Sequence, residues 1–207
     1  MAEYLPQFFL AWSILIVAVL SPGPSVALIL GVATSRGRLP SLITALGVGC
    51  GSATICVATV VGITAILAQV AELMTLVRMV GAAYLFWLAF KAFRNASHRG
   101  EITVAPVRYL NAWRTWLAAY LLQVTNPKAI FFWLAIASVG GAGDAPPAIV
   151  ALFVAGSFVI SFVGHGGYAL LLSSGPVRRL YGRAHRWIEG ALGCFFLFAG
   201  YKIATAD

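Results

Sequence analysis

Charge is what this sequence has least of. Asp, Glu, Lys and Arg together make up 10% of its 207 residues, against about 25% in a soluble domain. A chain with 61% hydrophobic residues and 21 glycines is too apolar to be disordered. It is also too apolar to hide that surface inside a water-soluble globule of this size. Cysteine is scarce too. Cys50, Cys56 and Cys194 all sit within apolar runs at spacings that fit neither a disulfide framework nor a zinc site, so they read as small buried side chains. Strict apolar–polar alternation is absent, and the apolar runs far exceed the roughly 10 residues of a barrel strand, which excludes an outer-membrane barrel. No Lys or Arg precedes the first run, so the basic region of a cleaved signal peptide is missing and the first helix is expected to stay.

What remains is a polytopic helical membrane protein. Six runs reach the roughly 20 residues needed to cross a bilayer: about Leu5–Ala33, Ser41–Ala68, Leu73–Phe93, Trp113–Val139, Pro147–Ser173 and Trp187–Ala204. Most of the 14 basic residues fall in three gaps. Arg36 and Arg38 follow the first run. Lys91, Arg94, Arg99, Arg108 and Arg114 surround the gap after the third, and Arg178, Arg179, Arg183 and Arg186 the gap after the fifth. The other side carries Glu3, Glu72, Asp144 and Asp207, with Arg78 and Lys202 near helix ends. Basic loops stay in the cytoplasm, so both termini are expected outside. The charge of +8 is then a topology signal with contact to anionic lipids, and nucleic acid is not needed to explain it.

The chain reads as a single membrane domain, residues 1–207, with an internal duplication: repeat one about 1–94, a cytoplasmic linker about 95–112, and repeat two about 113–207. Each half opens with a proline-interrupted helix, Ser21-Pro22-Gly23-Pro24 in one and Thr125-Asn126-Pro127-Lys128 in the other. A glycine-rich helix follows, with Gly47, Gly49 and Gly51 or Gly164, Gly166 and Gly167. An aromatic helix ending in Lys91 or Lys202 closes each half. Three spans per half invert the second half in the membrane. Inverted repeats with broken helices at matching positions are the arrangement that gives alternating access to a midplane site.

Proline lacks an N–H, so each break frees backbone carbonyls that must meet protein, water or a ligand inside the bilayer. Ser21 and Ser25 add hydroxyls beside the first break; a packing kink is the plainer account of that motif alone. The second break carries Lys128, near the middle of its run. A deep amine costs about 2.5–3.5 kcal/mol to insert and belongs in a bundle interior or wet cavity unless it snorkels. With Asn126 and the amides at the start of the following half-helix, Lys128 forms a candidate anion-accepting spot. No carboxylate lies deep in a run, Glu72 and Glu189 being at helix ends, which argues against a metal cluster, a two-carboxylate hydrolase or an acid-based cation pump. A zwitterionic amino acid fits: its carboxylate on Lys128, its ammonium on carbonyls freed near Pro22 and Pro24. A small monocarboxylate fits as well. His165 is the one histidine deep in a run and a candidate proton carrier, or simply a hydrogen-bonded core residue. Arg78 either snorkels or shapes the outer mouth. The tryptophans read as packing residues or interface anchors.

These residues carry a resemblance that covers nearly the whole chain. Ser-Pro-Gly-Pro at 21–24, Arg36-Gly37-Arg38, Ala45-Leu46-Gly47, Gly81-Ala82-Ala83-Tyr84-Leu85, and Asn126-Pro127-Lys128-Ala129 with Phe131-Phe132 occur in this order. The pattern resembles the lysine-exporter and threonine/homoserine-exporter (LysE/RhtB) superfamily. The chain departs from it at residues 135–140, where many relatives have Pro-Gln-Phe, and at Ala89, where glycine is frequent. The resemblance implies a bacterial inner-membrane, multi-pass exporter of amino acids or their derivatives, generally driven by the proton gradient. It attaches weight to Pro22, Gly23, Pro24, Asn126, Pro127 and Lys128. The expected function is secondary transport by rocking of the two halves, with no cofactor and no enzymatic activity. The expected partners are a small zwitterionic or monocarboxylate substrate, protons and membrane lipids, and a six-span unit leaves room for a homodimer. A channel for a small polar metabolite and a non-transporting scaffold are the alternatives.

Overall fold

Proline sets where the helices start. In the computed structural model, which describes residues 4–67, 71–97, 111–138 and 145–205, the first run is two helices, α1 (Leu5–Leu20) and α2 (Pro24–Arg36), bent by 49° at the break. The fourth run is likewise α5 (Ala112–Val124) and α6 (Pro127–Ser138). Pro24 and Pro127 each occupy the first helical position, where a missing N–H is harmless and the fixed φ favours the helix. Between the pairs lie α3 (Arg38–Leu67) and α4 (Ala71–Ser97); after them come α7 (Pro147–Leu171) and α8 (Gly175–Ala204). The described residues contain helix and no strand.

Helices α3, α7 and α8 are each long and apolar enough to cross a membrane, and the bent pair α1–α2 is so as a unit. Large apolar side chains such as Phe9, Val61, Val163 and Phe198 stand more than 60% exposed, a surface suited to lipid rather than water. Most of the linker from about 95 to 112 lies outside the described residues. So do Glu3, His98, Arg99, Glu101, Arg108, Asp144 and Asp207, and the side chains of Glu72 and Arg78.

The eight helices pair in a regular way. Helix α3 packs along α5 and α7 along α1; α1 touches α6 and α2 touches α5; α3 meets α6 and α7 meets α2. Helix α3 also packs on α7, and α4 on α8. Exchanging α1–α4 for α5–α8 converts each of these pairs into another of them, or, for α3 with α7 and α4 with α8, into itself. The contacts of α4 with α6 and of α2 with α3 have no counterpart of similar extent. Close approach is supplied by glycine. A methyl group at Gly47 would collide with the Trp116 carbonyl, and one at Gly51 would come within 2.8 Å of the Gln123 side chain, both on α5. On α7, Gly164 lies against Val19 of α1 and Gly156 against Trp12. With lipid tails as apolar as the side chains, such backbone approach is what holds helices together in a bilayer. Gly167, expected on this face, borders open space, and Gly166 makes only an ordinary contact with Leu42.

Two further expectations change. Helix α8 begins at Gly175 rather than near Trp187, because helix starts follow backbone preference, here Pro176 in the first turn, and not hydropathy. Glu189 is therefore inside a helix, and it is buried. The free cysteines differ from one another: Cys56 is buried, Cys50 half-buried and Cys194 exposed.

Candidate functional site

Which carbonyls the prolines free can be read from the numbering. In a continuous helix Ala18 would accept from residue 22 and Leu20 from residue 24, and both donors are prolines. The tertiary structure supplies replacements. Lys128 Nζ donates to Ala18 O at 3.1 Å and to Ser21 O, and the Tyr168 hydroxyl donates to Leu20 O at 2.7 Å. An ammonium from α6 and a phenol from α7 thus cap the carboxyl end of α1, where the helix dipole favours positive charge. The two breaks meet at this point. The carbonyls that the sequence assigned to a substrate's ammonium are held by Lys128 and Tyr168 instead.

The second break is organised around Asn126. Its Oδ1 accepts from the Lys128 backbone amide at 3.1 Å while its carbonyl accepts from Ile130 N at 3.0 Å, the geometry of a helix N-cap. That amide, expected to face an anion, is therefore occupied. Asn126 Nδ2 donates to Ser25 Oγ at 3.4 Å, and Ser25 Oγ donates to Gln123 Oε1 at 2.6 Å. All three residues are buried. This chain ties α2 to both halves of the fourth run, and buried polar groups so satisfied specify one arrangement rather than many.

Ser21, Gly23, Ser25, Asn126, Lys128 and His165 line one cavity, together with Ser52, Gln123, Trp133 and Ser161. About 40 Å³ of it is open to the centre of a water molecule, room for a few waters at the usual 10–15 Å³ or so each and too little for an amino acid without movement. His165 Nδ1 donates to the Ser161 carbonyl at 2.8 Å, which leaves Nε2 as its free atom. Trp133 Nε1 donates to Ser52 Oγ at 3.3 Å, so this tryptophan belongs to the cavity wall rather than to an interface belt. A second cavity of about 80 Å³ lies across the breaks. It is lined by Ser21, Pro22, Gly23, Pro24, Asn126, Pro127 and Lys128 of the two breaks, by Tyr84, Trp87, Lys91 and Asn95 of α4 and by Glu189 of α8. Lys128 stands between the two.

Sequence reasoning missed Gln123, Tyr168, Trp133 and Glu189, all of which reach the site from a different helix or from outside the breaks. The expectation that no carboxylate joins the site is corrected: Glu189 is 4% exposed and sits in the second cavity. Among the described residues no group of His, Cys, Asp and Glu could hold a metal ion.

Gly23 has a role in this geometry beyond chain freedom. A methyl group there would lie 3.1 Å from Lys128 Cδ and 3.2 Å from Nζ, tighter than ordinary contact. Gly23→Ala is expected to push the amine off the α1 carbonyls and reduce activity about tenfold while leaving the thermal midpoint within a few degrees. A variant as active as the wild type would show that the amine's placement does not matter.

A half-buried amine closing a broken helix beside two small cavities that carry polar groups, in a bundle with a lipid-suited surface, defines a helical membrane protein with a polar site in its interior. Residues 16–207 match the family of LysE type translocators, and the chain belongs to that family. It is 31% identical to the threonine efflux protein of Escherichia coli K12 over 195 residues, 91% of each chain. It is 29% identical to the threonine efflux protein of Salmonella typhimurium over 205 residues, 95% of each. The arginine exporter protein ArgO of Escherichia coli K12 is 32% identical over 151 residues, 71% of this chain and 70% of that one. No solved structure matches the chain.

Proposed function

We propose that the protein is a secondary transporter of the bacterial inner membrane that exports a small amino acid or amino-acid derivative, with protons as the coupling ion. One observation carries the reading: Lys128 bridges the two broken helices and lines both of the cavities beside them. The amine holds carbonyls that donors on a substrate would otherwise use. A substrate carboxylate draws Lys128 away from Ala18 and Ser21, and the carbonyls it vacates become acceptors for donors on the substrate. Exchange of one ion–dipole arrangement for the other lets the site open and close without leaving a charge unpaired in a low dielectric.

The proposed frame is six spans in two inverted halves with both termini outside. The exchange of helix pairs between α1–α4 and α5–α8 supports it, and so do the basic residues at the ends of α2 and α4 and the start of α8. His165, with Nε2 free beside Lys128's cavity, is a candidate proton carrier. Lipids cover the apolar exterior, and a homodimer is compatible with a unit this small.

The test is an efflux panel across amino acids in vesicles with an imposed pH gradient. Saturable, gradient-dependent efflux with counterflow is expected; no efflux of any amino acid would refute the reading, and non-saturable flux would identify a channel. For the topology, single cysteines at Ser97 and at Ser173, in a protein lacking its own three, are expected to react only from the cytoplasmic face. Labelling of both from outside would invert the frame.

A further inference from the structure

The second cavity holds a charge that the transport reading has not used. Glu189 on α8 is buried, and its Oε1 accepts from Asn95 Nδ2 of α4 at 3.4 Å and lies 3.8 Å from His185 Nε2, one turn earlier on its own helix. Both contacts use Oε1. Glu189 itself lines the second cavity. His185 Nδ1 is buried with no hydrogen-bond partner among the described residues, so the imidazole is not fully occupied by the protein. Lys91 from α4 and Lys128 from α6 line the same cavity as Glu189, and His185 lies one turn before the acid on α8. Two amines and one acid therefore line a single cavity of about 80 Å³.

We propose that Glu189 supplies the counter-charge for the substrate's ammonium, in addition to the carbonyls that Lys128 vacates, and so restricts the substrates of this transporter to zwitterions. This deepens the reading above and rests on it. Lys128 alone does not distinguish an amino acid from the monocarboxylate of the same shape, because both present a carboxylate. A carboxylate lining the same cavity does, since only a substrate with an ammonium group satisfies it. A monocarboxylate entering the cavity leaves Glu189 beside an apolar group where a donor is required. A site built to bond one polar group rejects the analogue lacking it far more strongly than a site that reads shape alone. The acid also separates this role from that of His165, because an imidazole carries no negative charge in either protonation state and cannot hold an ammonium by charge.

The experiment compares efflux of radiolabelled threonine and of 3-hydroxybutyrate, which is threonine without its amino group, from vesicles containing wild-type protein or Glu189→Gln. Glutamine keeps the shape and can still accept from Asn95. The wild type is expected to favour threonine, and the variant to lose at least about tenfold of that ratio by slowing threonine while 3-hydroxybutyrate is unchanged or faster. An unchanged ratio in the variant, or a wild type that moves both alike, overturns the proposal and leaves the transport reading standing. A wild type that moves neither, nor any other amino acid, refutes the transport reading itself. Should the glutamine variant fail to insert, Glu189→Asp retracts the acid by one methylene. Slower threonine alone then supports the proposal, and equal slowing of both solutes overturns it.

Discussion

Efflux by the Lys128→Ala protein is expected to fall to background, a loss of at least about two orders of magnitude, or roughly 2.7 kcal/mol of lost stabilisation. The substitution removes a side chain that bridges the two breaks, and it strips Ala18 and Ser21 of the donor their own helix cannot provide. Each carbonyl left buried without a partner costs about 1–3 kcal/mol, so the bend between α1 and α2 is weakened along with the site. Lys128→Gln separates these effects. Its amide can donate to one of the carbonyls and recover part of the thermal stability, but it brings no charge for a substrate carboxylate and is expected to stay inactive. Efflux of a labelled amino acid that the wild type exports from vesicles, read beside a melting curve in detergent, distinguishes the outcomes. Transport retained by either variant would remove Lys128 from the mechanism.

The largest effect on stability is expected at Gly47. A Cβ at that position overlaps the Trp116 carbonyl and lies 2.9 Å from the Ala119 methyl on α5. A backbone oxygen cannot rotate aside as a side chain can, so the helices must separate along their length. Overpacking of this kind costs about 1–3 kcal/mol and occasionally more, and the lost helix contact has no hydrophobic compensation in lipid. Gly47→Ala is therefore expected to lower the melting midpoint clearly and to reduce the amount of protein recovered from membranes. Gly167→Ala, with nothing within 4 Å, is the matched control and is expected to be silent. Equal behaviour of the two would mean that the α3–α5 seam is not a structural constraint.

The comparison between these two glycines shows how far a sequence can be read. Glycine clusters on α3 and α7 are visible as residue types, but whether a given glycine faces a neighbour depends on where that neighbour lies. Gly47 and Gly51 meet α5, Gly164 meets α1, and Gly167 meets nothing, although all look alike in the chain. Gly156 escaped attention because it stands apart from the cluster, yet it is pressed against Trp12. The same limit applies to Glu189. A hydropathy window starts the last span near Trp187 and leaves the acid at its edge. The helix itself runs back to Gly175 through Arg178, Arg179, Arg183 and Arg186, and packing on α4 buries the carboxylate against Asn95.

The breaks belong to the opposite category. Pro22, Pro24 and Pro127 lack an amide hydrogen whatever surrounds them, so the interruptions and the stranded Ala18 and Leu20 carbonyls follow from residue identity. Composition likewise dictates an apolar helical bundle, because so few charges cannot cover a water-facing surface. Which groups answer those carbonyls is another matter. Lys128 and Tyr168 arrive from α6 and α7, more than a hundred residues away, and Gln123, Ser25 and Asn126 bond only because two broken helices cross. Local covalent chemistry set the demands of this chain, and only the tertiary packing decided which side chains meet them, since a hydrogen bond is made by position in space and not by order in sequence.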